Sequence, residues 1–240
     1  MRVDPVNLEK ILKLTMLPKA KKGFIEPVSL NFTDDGVKVN CTDPARVMAV
    51  IGNFKKSMFT EYKAVGEVKF TNTVYAMLKQ LFKQDSEITF KVLEDRIVLE
   101  GSRDYYDEYL TTEEVNTFPE SSLKFVDGIP IPASTEVKAV YVIPVKNLAF
   151  KGFDRVELNY GSELKAVLRT ETSTMRRKIE IVSSINAENS GSVLLPTDIL
   201  NRVVQVLDGN VRVTFTEGPI TISKITENYS IHYIIAPLVE

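Results

Sequence analysis

Few residues in this chain have the chemistry of a catalyst. His232 is the only histidine and lies in the alternating run SIHYII. A nucleophile-and-base pair would need a serine or cysteine elbow beside it, and none stands near it in sequence, so it reads as a structural or edge-strand histidine. Cys41, the only cysteine, falls in the alternating VKVNC and reads as a small core residue. A single cysteine excludes an internal disulfide and a multi-cysteine zinc site, and fits a reducing compartment. Asp104, Asp107, Glu108, Glu113 and Glu114 have the hard oxygen chemistry of a divalent-cation site, which would be the basis of a metal-dependent nuclease. Strung along an extended strand and a loop, they read instead as a solvated acidic edge. Gly161 and Gly191 stand apart and neither opens a helix after a buried strand, so there is no phosphate cradle and nucleotide hydrolysis is not expected. No metal, no cofactor and no catalysis are expected.

The basic residues are more informative. Between Thr71 and Gln84 there are Lys79 and Lys83 and no acid, and between Pro144 and Lys151 there are Lys146 and Lys151 and no acid. Lys10 and Lys13 stand against Asp4 and Glu9, and Arg202 against Asp198 and Asp208, giving seven bases to four acids in a chain of net charge -2. If the helical segments that carry them share one side of the sheets, that side is electropositive. Such a surface suits non-specific contact with a phosphate backbone, where Lys and Arg displace counterions without reading bases.

The elements that would position these residues follow from periodicity. Asp4 and Pro5, a capping residue and a first-turn proline, precede Leu8, Ile11, Leu12 and Thr15 at helical spacing, and Pro18 ends that helix. A basic loop of Lys19, Lys21, Lys22 and Gly23 follows. VSLNF, the turn Asp34-Asp35-Gly36 and VKVNC form a hairpin signal, and RVMAVIGNF continues as a strand. The connection MFTEY leads to the strand EVKF and a helix over 73–83 with Val74, Met77, Leu78 and Leu81 on one face. SEITFKVL and RIVLEG are strands, and an edge strand over 103–112 closes the first half.

The plan then recurs. EVKAVYVI is a strand, 144–151 a short segment, and VELNY echoes VSLNF before a hairpin through Gly161. TMRRKIEIVSS is a strand, and a helix over 197–207 turns Ile199, Leu200, Val203 and Leu207 inward. VRVTF and PITISK align without a gap on ITFKV and RIVLEG. The chain therefore reads as an internal duplication of an α+β unit with a curved antiparallel sheet and helices on one side. Domains are expected at 1–116 and 133–240.

Between them runs TFPESSLKFVDGIPIP, residues 117–132. Alternating Ile129, Pro130, Ile131 and Pro132 must run extended and cannot enter a sheet interior, because Pro fixes φ and lacks a donor. The segment reads as a tether whose exposed isoleucines offer their underside to a partner. The two expected edges also differ in sign. The strand over 103–112 carries Asp104, Tyr106, Asp107 and Glu108, whereas 174–183 carries Arg176, Arg177, Lys178, Ile179 and Ile181. Edges of opposite sign pair head to tail, giving a ring when the rotation closes.

At 240 residues, 44% hydrophobic and 26% charged, the chain has the composition of a soluble globular protein. No apolar run approaches the roughly 20 residues a bilayer needs, and the first residues do not open a signal peptide; a cytosolic or nuclear protein with no membrane partner is expected.

GVKVNCTDPARVMAV, the connector ending in IPIP and the terminal IIAPLVE together resemble the DNA sliding clamps of the proliferating cell nuclear antigen type, and the resemblance covers nearly the whole chain. It implies a closed trimeric ring of six similar domains, helices inside around duplex DNA and sheets outside. Such a ring has no catalysis of its own and tethers DNA polymerase, clamp loader, ligase and nuclease peptides. A specialised subunit of a heterotrimeric or checkpoint-type clamp is the alternative. On the matching positions the partner-peptide pocket is lined by Thr42, Val47 and Ala49, by Ile129, Ile131 and Pro132, by Gly218 and Pro219, and by Ile234, Ala236 and Pro237. Thr42 and Ala49 are smaller or more polar than the usual occupants. The third helix of such clamps is about four turns long, whereas 144–155 has room for one or two.

Overall fold

The computed structural model describes residues 1–18, 24–170 and 172–238. The basic loop expected at Lys19, Lys21, Lys22 and Gly23 and the last two residues of IIAPLVE lie outside them. The chain divides into two compact units. The first comprises Met1–Pro44, Val50–Thr117 and Thr226–Ile231, and the second Ala45–Ala49, Phe118–Ile225 and His232–Glu240.

In the first unit the elements run β1 (Arg2–Val3), α1 (Pro5–Met16), β2 (Val28–Thr33), β3 (Gly36–Thr42), β4 (Met48–Lys55), β5 (Phe59–Glu61), β6 (Gly66–Phe70), α2 (Asn72–Leu81), β7 (Ile88–Val92), β8 (Arg96–Glu100) and β9 (Tyr105–Tyr109). The Asp4 carboxylate accepts from the Val6 N–H at 2.8 Å, which caps α1, and Pro5 fills the first helical position where no donor is needed. Leu17 in the left-handed region stops it before Pro18. Gly36 closes the β2–β3 turn at φ 139°, and a Cβ there would lie 2.2 Å from the Phe54 carbonyl oxygen, so only glycine fits. Two antiparallel ladders result, β6-β2-β3 and β5-β1-β7-β8-β9. Phe32, Phe70 and Phe90 meet between them, with ring centroids 5.7–6.4 Å apart. α1 and α2 pack side by side, burying Leu8, Ile11 and Leu12 on one and Val74 and Leu78 on the other.

The second unit begins with β10 (Leu123–Val126) and β11 (Ile129–Pro132) and continues with β12 (Val137–Pro144), a 3-10 turn at Val145–Leu148, β13 (Arg155–Tyr160), β14 (Leu164–Arg169), β15 (Thr174–Ile179), β16 (Ser183–Ile185), β17 (Gly191–Pro196), α3 (Thr197–Val206), β18 (Asn210–Thr216), β19 (Ile220–Ile225) and β20 (Tyr229–Ile235). In its ladders, β17-β13-β14-β15 and β16-β12-β18-β19, the strands β17-β13-β14 follow the order of β6-β2-β3, and β16-β12-β18-β19 that of β5-β1-β7-β8. The duplication read from VELNY and VSLNF, and from VRVTF-PITISK and ITFKV-RIVLEG, is therefore a duplication of topology. The 3-10 turn stands where the first unit has α1, so the third helix is shortened to four residues. α3 holds the shortened segment. The Asn201 amide accepts from the Phe150 N–H at 2.8 Å and donates to the Phe150 carbonyl at 3.3 Å, and the Thr197 hydroxyl donates to the Phe153 carbonyl. In the core, the Tyr141 hydroxyl donates to the Gly161 carbonyl at 2.6 Å and accepts from its N–H at 2.8 Å.

Four expectations are corrected. The connection MFTEY holds a strand, β5, which pairs with β1. The strand expected over 174–183 is two: β15 joins β14, and the chain then crosses to pair β16 with β12. The tether is a hairpin, β10 paired with β11 through a two-residue turn with Asp127 at φ 50° and Gly128 at φ 76°. Pro130 and Pro132 alternate with Ile129 and Ile131, so the missing donors fall on alternate positions and the isoleucines keep theirs for the ladder. Finally, the isoleucines are not exposed: Ile129 is 2% and Ile131 0% accessible, and the Thr221 hydroxyl donates to the Pro130 carbonyl to fasten the hairpin onto β19.

Ile131→Ala removes buried methylenes and should cost about 2–5 kcal/mol in urea unfolding; a loss below about 0.5 kcal/mol would contradict the burial. His232 is buried, with Nδ1 2.8 Å from the Ser223 hydroxyl, and desolvation pushes its pKa down to about 4. The unfolded chain takes up this proton near the ordinary 6.5, so stability is full above that pH and falls as pH drops towards 4, by at most about 3 kcal/mol. His232→Gln should lose this component of the acid sensitivity, read as melting temperature at pH 7 and pH 5.

Candidate nucleic-acid and partner interfaces

The predicted basic residues fall on the solvent sides of the helices. In the first unit Lys10 on α1 and Lys79 on α2 are exposed and Lys13 is half-buried. Lys83 is also exposed but lies two residues past the end of α2 at Leu81, not within the helix as expected. Their positions are tempered by rings: the Lys10 ammonium lies 4.8 Å from the Tyr229 ring centroid and that of Lys79 5.4 Å from Tyr75. Lys10, Lys13 and Lys79 thus stand on two helices that pack against each other. In the second unit Lys146 is exposed on the 3-10 turn, which packs beside α3, and Arg202 on α3 is half-buried. Asp198 is exposed on the same helix, so α3 carries an acid one turn from its single cation.

The two edges are real margins: β9 ends the five-stranded sheet and β15 the four-stranded one. Their side chains are more engaged than the sequence suggests. Arg96 on β8 reaches Asp107 at 3.0 Å, and Glu108 accepts from the Thr71 hydroxyl at 2.6 Å and from Tyr106. Burial, reinforced by Glu108, pushes the Tyr106 phenol well above its ordinary range. Asp104 is half-buried at the turn into β9, where its carbonyl accepts from the Gly101 N–H at 2.9 Å. On β15, Arg176 and Lys178 are exposed and Arg177 turns to the other face, 3.4 Å from the Asn147 amide oxygen. Ile179 is buried in its own unit rather than offered at the edge, and half-buried Ile181 lies beyond the end of β15. The apolar residues that β9 does present are Tyr105 and Tyr109, 59% and 68% exposed. Strict alternation along YYDEY puts them opposite Tyr106, and that signal was available in the sequence.

Of the residues expected to line a partner pocket, Thr42 lies on β3 in the first unit and is buried. The others lie in the second unit. Ala49, Ile129, Ile131 and Ile234 are buried, which leaves Val47, Pro132, Gly218, Pro219, Ala236 and Pro237 half-exposed. The tail is held by its backbone: the Ala236 N–H donates to the Val47 carbonyl and the Leu238 N–H to the Leu194 carbonyl, at 2.9 and 2.8 Å. Phe125, 62% exposed on β10, and exposed Leu238 were missed because polar or proline-rich neighbours hide them. Among the described residues no three His, Cys, Asp or Glu side chains are grouped as a cation site needs, and no helix is long and apolar enough to cross a membrane.

Comparison with solved structures defines the class of fold. A proliferating cell nuclear antigen (PCNA) from Entamoeba histolytica matches with a TM-score of 0.80 at 12% identity, over 99% of this chain and 98% of that one. A. fulgidus PCNA, solved with the C-terminal region of FEN-1 bound, matches with 0.76 at 16% identity, over 100% and 98%. The PCNA2–PCNA3 complex from Sulfolobus tokodaii matches with 0.75 at 17% identity, over the whole of both chains. No family model and no curated protein sequence matches. The chain has, from end to end, the fold of the PCNA sliding clamps.

Proposed function

We propose that the chain is a DNA sliding clamp: copies join through β9 and β15 into a trimeric ring that encircles duplex DNA and tethers replication and repair enzymes. The observation that carries this reading is the clamp fold, matched over 99% of this chain, with exposed lysines on the paired helices α1 and α2. Lys10, Lys13, Lys79 and Lys83, with Lys146 and Arg202, face the DNA, the second unit contributing less because its third helix is a single turn. Retention is topological, so each cation needs to supply little affinity, and the surface has only to tolerate phosphates without gripping them. The ring is not an enzyme. Its domains are 1–116 and 133–240, joined by the connector 117–132.

Partner peptides dock on the half-exposed surface of Val47, Pro132, Pro219, Ala236 and Pro237, with Ile129, Ile131 and Ile234 as its buried support. Extended backbone of the tail beside it supplies hydrogen-bonding groups for an incoming peptide. The FEN-1 segment bound to the A. fulgidus protein is a precedent for this kind of partner. A second reading, a subunit of a mixed ring, is favoured by the likeness to the PCNA2–PCNA3 complex; on this reading β9 and β15 of this chain pair with the edges of paralogous chains.

The test is charge reversal of Lys79 and Lys83 together. Polymerase stimulation on primed DNA at moderate salt should fall several-fold while the solution mass is unchanged; undiminished stimulation would remove these lysines from the DNA-facing surface.

A further inference from the structure

We propose that the solvent face of the sheet β17-β13-β14-β15 is a docking surface for an acidic segment of a partner polypeptide, one that carries an apolar side chain between its carboxylates. This goes beyond the ring and its peptide surface and needs neither. Cross-strand register sets the face out in three rows. The first holds Arg155 and Arg169, the second Leu194, Glu157, Val167 and Arg176, and the third Asn159, Lys165 and Lys178. Intervening residues such as Val156, Leu158, Ala166 and Leu168 are buried, so the five cations of these rows all stand on the open side.

Among the described residues two carboxylates form ion pairs with them. Glu157 lies 3.6 Å from Arg169, and Glu163, at the hairpin end, pairs with Lys165 at 2.7 Å and with Lys178. Those two ammonium groups hold Glu163 down to about 2, so it stays charged. Arg155 and Arg176 make no ion pair among the described residues. In a chain of net charge -2 this is a concentrated positive face.

The relief of the face says what kind of anion fits. Two hollows, of 320 and 530 Å³, open on either side of Val167; Arg155, Glu157, Arg169 and Leu194 border the first, and Lys165, Arg176 and Lys178 the second. The middle row therefore carries the apolar side chains and the acid, with Arg176 at its β15 end and the other cations in the rows before and behind it. A nucleic acid presents a phosphate at every step and would set one against Glu157. An extended polypeptide lying along the strands repeats every second residue at about 6.6–6.8 Å, the spacing of the rows. Acid at one position, an apolar side chain two residues on and acid two residues further matches the three rows in order.

The probe is a fluorescein-labelled peptide, Glu-Glu-Ser-Phe-Ser-Glu-Glu, titrated at low salt against the full chain. Arg155→Glu combined with Arg169→Glu lies inside the sheet, away from the β15 edge, and should weaken binding roughly tenfold or more with an unchanged circular dichroism spectrum. Glu157→Gln should tighten it, and a peptide with Ser in place of Phe should bind less well. Absent binding by the wild-type chain, equal binding by the double variant, or tighter binding of an oligothymidylate of equal charge would each overturn the proposal.

Discussion

A strand at the margin of a sheet leaves a row of N–H and C=O groups without partners, and a protein must cover it, blunt it or use it. β9 and β15 are two such margins, one in each unit, both five or six residues long and neither capped by proline. On the clamp reading, Asp107 and Glu108 on one and Arg176 and Lys178 on the other disfavour pairing of like with like and favour head-to-tail pairing. Exposed ion pairs add little by themselves, so on that reading the backbone ladder and the tyrosine rings at 105 and 109 supply most of the joining energy. Arg96 already pairs with Asp107 within the chain.

The internal repeat has a consequence for charge. In the first unit two full helices lie together and carry their lysines outward; in the second, one partner is reduced to a 3-10 turn latched to α3 by Asn201 and Thr197. Shortening the helix costs little core, because Val145 and Leu148 stay buried from the turn itself. What is lost is surface on which to place cations. On the clamp reading, the positive lining alternates between a stronger and a weaker sector.

Much of the fold was legible because alternation and capping were strong: Asp4-Pro5 opens α1 as expected, and the Asp34-Asp35-Gly36 turn closes the β2–β3 hairpin. The connector was misread because Pro130 and Pro132 obscured the Asp127-Gly128 turn, itself a strong hairpin signal. β1 and β5, two and three residues long, carry no periodicity and exist only by pairing with each other and with β7. Site residues were harder, since sequence spacing does not report depth: Ile129, Ile131 and Ile179 read as surface and are core, while Tyr105, Tyr109 and Phe125 read as incidental and are exposed. The positive face of the four-stranded sheet was invisible for a related reason, because its rows are assembled across strands by register.

The pairing of opposite edges is the claim on which the clamp account turns, and it is measured most directly by light scattering of the isolated chain in solution. The account predicts a species of three times the 27.0 kDa chain mass, dissociating when Arg176 and Lys178 are both replaced by Glu. A mass of one chain at every concentration tested would contradict it.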